Sequence, residues 1–133
     1  MNLQRLLLIH AIITLAAGVV LIVAPAVIPK TVDIQIRPNE YLLSYFLGAA
    51  ELGIAYLSFF SRTIQDKYAL RIICTTFIVF HAATGILELY GLLQGISSKI
   101  IGNIFLRIVV VVLFYYYGIY KNKQQKISTG KTI

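Results

Sequence analysis

Residues 70–93 read LRIICTTFIVFHAATGILELYGLL, and how this stretch is taken decides the fold. It is an apolar run long enough to cross the ~30 Å of hydrocarbon in a bilayer as a single helix. Inside hydrocarbon every backbone N–H and C=O needs an internal partner, so a spanning run is helical throughout. Yet the run carries His81 and Glu88, seven residues apart and therefore two turns along one helical face. Charge-capable groups are costly in lipid, so this face must look onto other protein.

Three further runs supply that protein, at about Leu6 to Val27, Tyr41 to Phe60 and Ile101 to Tyr120. The breaks between them carry turn chemistry: Pro25 and Pro29 close the first run, Arg37-Pro38-Asn39-Glu40 opens the second, and Ser61 to Lys67 separates the second from the third. Gln94 to Lys99 is so short that the last two runs form an antiparallel hairpin. The expected fold is all-α and integral to the membrane: an antiparallel four-transmembrane-helix bundle over residues 1–120, followed by a polar, lysine-rich tail over 121–133. Arg5, an apolar stretch and Ala24-Pro25-Ala26 imitate a signal peptide, but the stretch outruns the 7 to 15 residues of an h-region, so it is expected to stay as the first span.

Composition agrees. The 133 residues are 59% hydrophobic and only 13% charged, where soluble domains carry about 25% charge. The net charge of +7 sits in short flanks between apolar runs and forms no basic, aromatic-studded surface, which excludes nucleic acid as a partner. The cations set orientation instead. Arg5, Arg62, Lys67, Arg71 and the four tail lysines fall on one side, against Lys30, Arg37 and Lys99 on the other. The positive-inside rule then puts both termini in the cytoplasm of a multi-pass cell-membrane protein. One cysteine, Cys74, allows neither a disulfide framework nor a CxxC motif.

Depth along each span, at 1.5 Å per residue, pairs the polar residues. Glu51 and His81 fall near mid-membrane and at matching depth. Glu88 matches Arg107 across the short hairpin, so a structural ion pair is expected there. His10 is level with Cys74. Cys74, His81 and Glu88 form a stripe on the third span, with Thr84 beside it, facing the small residues Ser44, Gly48, Ala55 and Ser58 that flank Glu51 on the second. The first span offers His10, Thr14, Ala17 and Gly18, and the fourth offers Asn103 and Arg107. Four polar faces converge on a pocket. Its expected ligand-binding residues are Glu51, His81, Thr84 and a fourth-span tyrosine such as Tyr117, with Glu51 and His81 as the candidates for any catalysis because a carboxylate and an imidazole can share a proton. The remaining tyrosines of the Phe114 to Tyr117 run suit an interfacial aromatic belt. Two histidines and one cysteine are too few for zinc, and the ~10 Å depth difference between His10 and His81 argues against haem. No metal site is expected.

Arg5 at the head of the first span, Gly18 and Pro25 toward its outer end, and Glu51-Leu52-Gly53 in the second resemble the DoxX-like group of small four-span bacterial membrane proteins. That resemblance implies the same bundle in the bacterial inner membrane and an association with membrane redox systems, which makes quinone the favoured ligand. The leading expectation is a pocket that binds a lipophilic small molecule, accessory to such a system. Membrane lipid and a second copy of the chain or another membrane subunit are the expected partners. The alternatives are an enzyme that moves a proton on a lipid-like substrate, and a dimeric proton-coupled exporter.

Overall fold

A computed structural model describes residues 2–121. Helix α1 spans Leu3–Val23, α2 Val27–Thr31, α3 Tyr41–Ser61, α4 Lys67–Leu93 and α5 Ile100–Phe114, which continues as a π-helical segment, Tyr115–Tyr120. The described residues hold four helices long and apolar enough to cross a membrane: α1, α3 with the 3-10 turn that precedes it, α4, and α5 with its π segment. All of the tail except Lys121 lies outside the described residues.

Local chemistry sets the helix ends. Asn2 caps α1 by accepting from the Arg5 N–H at 2.9 Å, and Asp66 caps α4 by accepting from the Tyr68 N–H at 2.8 Å. Helix α4 is closed just past Leu93 by Gly95, whose φ of +75° suits glycine; Gly95 N–H bonds the Leu92 carbonyl and Ile96 N–H the Gly91 carbonyl, the two bonds of a Schellman motif. The first span is shorter than expected at its far end. Pro25 forces Ala24 out of the helical region, and the chain restarts as the one-turn α2 instead of running on to Val27. An exposed Lys99–Asp33 ion pair at 2.9 Å then ties the loop after α2 to the loop before α5.

The cross-helix contacts give the topology. Ser58 meets Leu7, Gly48 meets Gly18 and Ser44 meets Pro25, so α1 and α3 run antiparallel. Gly118 meets Cys74 and Arg107 meets Gly85, so α4 and α5 do the same. Both described chain ends therefore lie at one end of the bundle. Within each pair the backbones come close because glycine permits it: a Cβ on Gly18 would stand 2.9 Å from the Gly48 carbonyl oxygen, and a Cβ on Gly118 would stand 2.6 Å from the Cys74 side chain. Leu6, Leu7, Cys74, Phe77 and Phe114 form the buried core where the two pairs join. The outward faces are apolar and open, with Leu43, Val79, Leu87 and Phe105 all exposed.

Glycines in contact and glycines in open space should respond differently. Gly18→Ala is expected to lower stability in detergent by about 1–3 kcal/mol because the opposing atom is backbone and cannot swing away. Gly102→Ala meets nothing within 4 Å and should be neutral or slightly stabilising. Thermal unfolding of both variants beside the parent checks the contrast.

Candidate functional site

The two tight helix pairs leave a cleft of about 280 Å³ between α1 and α5. Ile9, Ile13 and Leu106 form exposed apolar parts of its lining; His10, Glu51, His81 and Arg107, one from each long helix, supply its polar groups. Thr14 and Asn103 also line it.

Arg107 organises this floor. Its stem lies over Gly85, where a Cβ would only just touch it at 3.6 Å, and that seat places the guanidinium between residues one turn to either side on α4. On one side Nε stands 3.0 Å from Glu88 Oε1, each side chain keeping 20% exposure. The angle is wrong for a hydrogen bond, since Nε and Glu88 Oε2 both lack a hydrogen-bond partner, so the contact is a charge–charge attraction. On the other side Nη1 lies 3.3 Å from His81 Nδ1.

From His81 the contacts continue inward. Its Nε2 is 2.9 Å from His10 Nε2, His10 Nδ1 is 3.0 Å from Ser58 Oγ, and Ser58 donates to the Leu7 carbonyl at 2.9 Å. Arginine only donates, and a neutral imidazole has one donor and one acceptor nitrogen. His81 Nδ1 must therefore accept from Arg107, which leaves the proton on Nε2. His10 Nε2 then accepts, and His10 Nδ1 donates to Ser58. All four links share one direction, and both imidazoles are neutral with defined tautomers. Phe77 and Phe114 hold the His10 ring, each with its centroid 4.9 Å away.

The structure brings together some of the predicted site and separates the rest. Glu88 and Arg107 are adjacent, and Glu51 and His81 line one cleft. The expected Glu51–His81 proton exchange is replaced: His81 bonds His10 and Arg107 instead. Thr84 turns its hydroxyl back to the Phe80 and His81 carbonyls, at 2.8 and 3.2 Å, and does not line the cleft. Tyr117 lines a different cavity, of about 320 Å³ at the chain-terminal end of the bundle, beside Asn2, Lys67 and Lys121. Ten residues of helical rise carry it about 15 Å from Arg107. His10 and His81 are not ~10 Å apart in depth. Depths counted from the start of each apolar run assume flush helix ends, but α4 has 27 residues to the 21 of α1 and overhangs it, so Cys74 packs with Leu6 and Leu7 and His10 reaches His81. The depth argument against haem therefore does not hold. Among the described residues, no group of three His, Cys, Asp or Glu side chains is placed to hold a metal ion.

Sequence reasoning placed Ser58 on the inward face of the second span but missed its bond to His10 and the partnership of the two histidines. The signal was present in the small-residue face of α3: once Gly18 is set against Gly48, antiparallel pairing carries Ser58 to the level of Leu7 and His10. Comparison with known proteins adds nothing further, since no family model matches the chain and neither a curated protein nor a solved structure matches it significantly.

Arg107→Ala removes the cation that faces both Glu88 and His81. The expected loss is about 3 kcal/mol, the low end for a broken buried pair because both side chains keep partial exposure. Arg107→Lys should recover little, having no planar fork to reach both neighbours. Exchanging the residues at 88 and 107 should restore part of the loss. Unfolding midpoints in one detergent rank the four proteins, and an Arg107→Ala midpoint equal to the parent's would show that the pair carries no stability.

Proposed function

We propose that the four long helices cross a cell membrane with both termini in the cytoplasm, and that the cleft between α1 and α5 takes a lipophilic small molecule head-first from the bilayer. The observation that carries this reading is the cleft itself, with apolar exposed walls and four charge-capable or hydrogen-bonding side chains on its floor. Pockets that swallow a whole drug-sized ligand run to ~300–1,000 Å³. A cleft of about 280 Å³ suits a polar head whose apolar tail stays among the lipids. Arg107 offers a permanent donor to a carbonyl or an anionic oxygen, and Glu51 offers an acceptor to a hydroxyl. The resemblance of Arg5, Gly18, Pro25 and Glu51-Leu52-Gly53 to the DoxX-like group favours a quinone-type head and a place beside a membrane redox system.

Two measurements test this. Lipophilic molecules retained through mild detergent purification are identified by mass spectrometry for the parent, Glu51→Gln and His81→Ala. The parent should retain one species that both variants lose while keeping the parent's helical circular dichroism. If both variants keep it, the cleft is not the site. For orientation, a C-terminal reporter active only outside the cell should stay silent, as the eleven flanking lysines and arginines are distributed.

A further inference from the structure

The cavity of about 320 Å³ at the chain-terminal end of the bundle gathers positive charge with nothing to oppose it. All four long helices contribute to its wall, through Leu7 of α1, Ser61 of α3, Leu70 of α4 and Tyr117 of the π segment, so it sits at the end of the bundle axis. Three cations line it: Arg62 just past α3, Lys67 at the head of α4 and Lys121 after the π segment. Among the described residues no carboxylate lines it, and Asp66, beside Lys67 in sequence, is turned to the Tyr68 N–H at 2.8 Å. Arg37, Lys99 and Arg107 each stand within 3.3 Å of a carboxylate, whereas these three have no such partner among the described residues. Like charges around one cavity repel, and an anion placed between them turns that repulsion into attraction.

The remaining lining narrows the anion. Arg62 Nε donates to the Phe59 carbonyl at 2.9 Å and the guanidinium carbon lies 4.1 Å from the Phe59 ring centroid, which leaves two terminal nitrogens for a forked contact. Asn2 has its side-chain oxygen on the Arg5 N–H, so its NH₂ is left to donate, and Gln65 adds a second carboxamide. Leu7 and Leu70, one turn further into the bundle than Leu3 and Lys67, give the cavity an apolar floor. Several donors and three cations match a group with three oxygens and a charge of about −1.5 to −2, the description of a phosphate monoester.

We propose that the terminal cavity binds a phosphate ester, with Arg62, Lys67 and Lys121 on the phosphate and the apolar floor under the group it esterifies. Such a phosphate belongs to a lipid headgroup or to a soluble ester, and the site's chemistry toward both is the same. The inference is independent of the cleft between α1 and α5. It also differs from a role in orientation, since cations that only direct insertion have nothing left to do in purified protein.

The full chain in neutral detergent micelles tests it. The probes are hexyl phosphate, which dissolves as a monomer, phosphatidic acid blended into the micelles, and hexyl sulfate as a singly charged control. A ligand that binds the folded state raises the unfolding midpoint with its concentration, so one measurement ranks all three. At least one phosphate probe should saturate, and the tighter of the two identifies a soluble or a lipid source. Arg62→Gln and Lys67→Gln should each weaken that probe about tenfold or more, the effect of losing one charge-assisted bond. Arg71→Gln removes a cation one turn along α4 from Lys67 that does not line the cavity, and should leave binding as in the parent. Equal weakening by Arg71→Gln would show attraction to the basic end as a whole and overturn the site. Hexyl sulfate binding as tightly as hexyl phosphate overturns the phosphate assignment, and saturation by neither phosphate probe overturns the proposal outright.

Discussion

A guanidinium that cannot give up its proton, held among apolar helices, dictates what surrounds it. Arg107 has three surroundings it could not lose together: the Glu88 carboxylate, the His81 lone pair and the open seat above Gly85. Each is on α4, so the α4–α5 hairpin is fixed in register by one side chain. The effect continues past the hairpin. Because arginine is a donor only, it sets the tautomer of His81, which sets that of His10, which directs a donor onto Ser58 of α3. One charge on α5 thus orders polar groups on all three other long helices. Buried polar networks are stabilising only when every member is satisfied, and this chain meets that condition from His81 to the Leu7 carbonyl.

The cleft follows from unequal packing. On the α1–α3 side Gly18 and Gly48 let carbonyls approach at distances that leave no room for a methyl group. On the α1–α5 side the facing residues are Ile9, Ile13, Leu106, Val109 and Val110, whose volume props the helices apart. Close packing of one pair therefore draws α1 away from α5. Without water to drive apolar surfaces together, helices in lipid associate through such steric fit and through polar bonds.

How much of this was legible in the sequence depends on the distance over which a contact is set. Helix number, the hairpin and the Glu88–Arg107 pair were readable because each depends on residues linked by a short loop. The failures have separate causes. The two histidines were misplaced because the overhang of α4 past α1 is a tertiary property that no apolar run displays. Tyr117 was assigned to the pocket from chemistry alone, although its own helical rise from Arg107 would have excluded it. Thr84 shares a face with His81, but a threonine hydroxyl in a helix finds its own preceding carbonyl before it finds a neighbour. The far end of the first span was overrun because apolar residues continue past Pro25 while the backbone cannot.

Charge balance gives the cleft a second reason to exist. The bundle interior offers one guanidinium and two carboxylates, Glu51 and Glu88, and the first cannot sit equally close to both. Glu88 holds the near position, at 3.0 Å. Glu51 is left on the opposite wall, buried at 7% exposure, in the field of Arg107 but joined to it by no hydrogen bond. A carboxyl group packed into apolar side chains in that position would be without a partner, and burying one costs several kcal/mol. Facing an open cleft, it can meet water or the polar head of a bound molecule instead. The opening between α1 and α5 is what makes a second acidic residue tolerable in the bundle, so filling the cleft with larger apolar side chains would strand Glu51 among groups that cannot partner it.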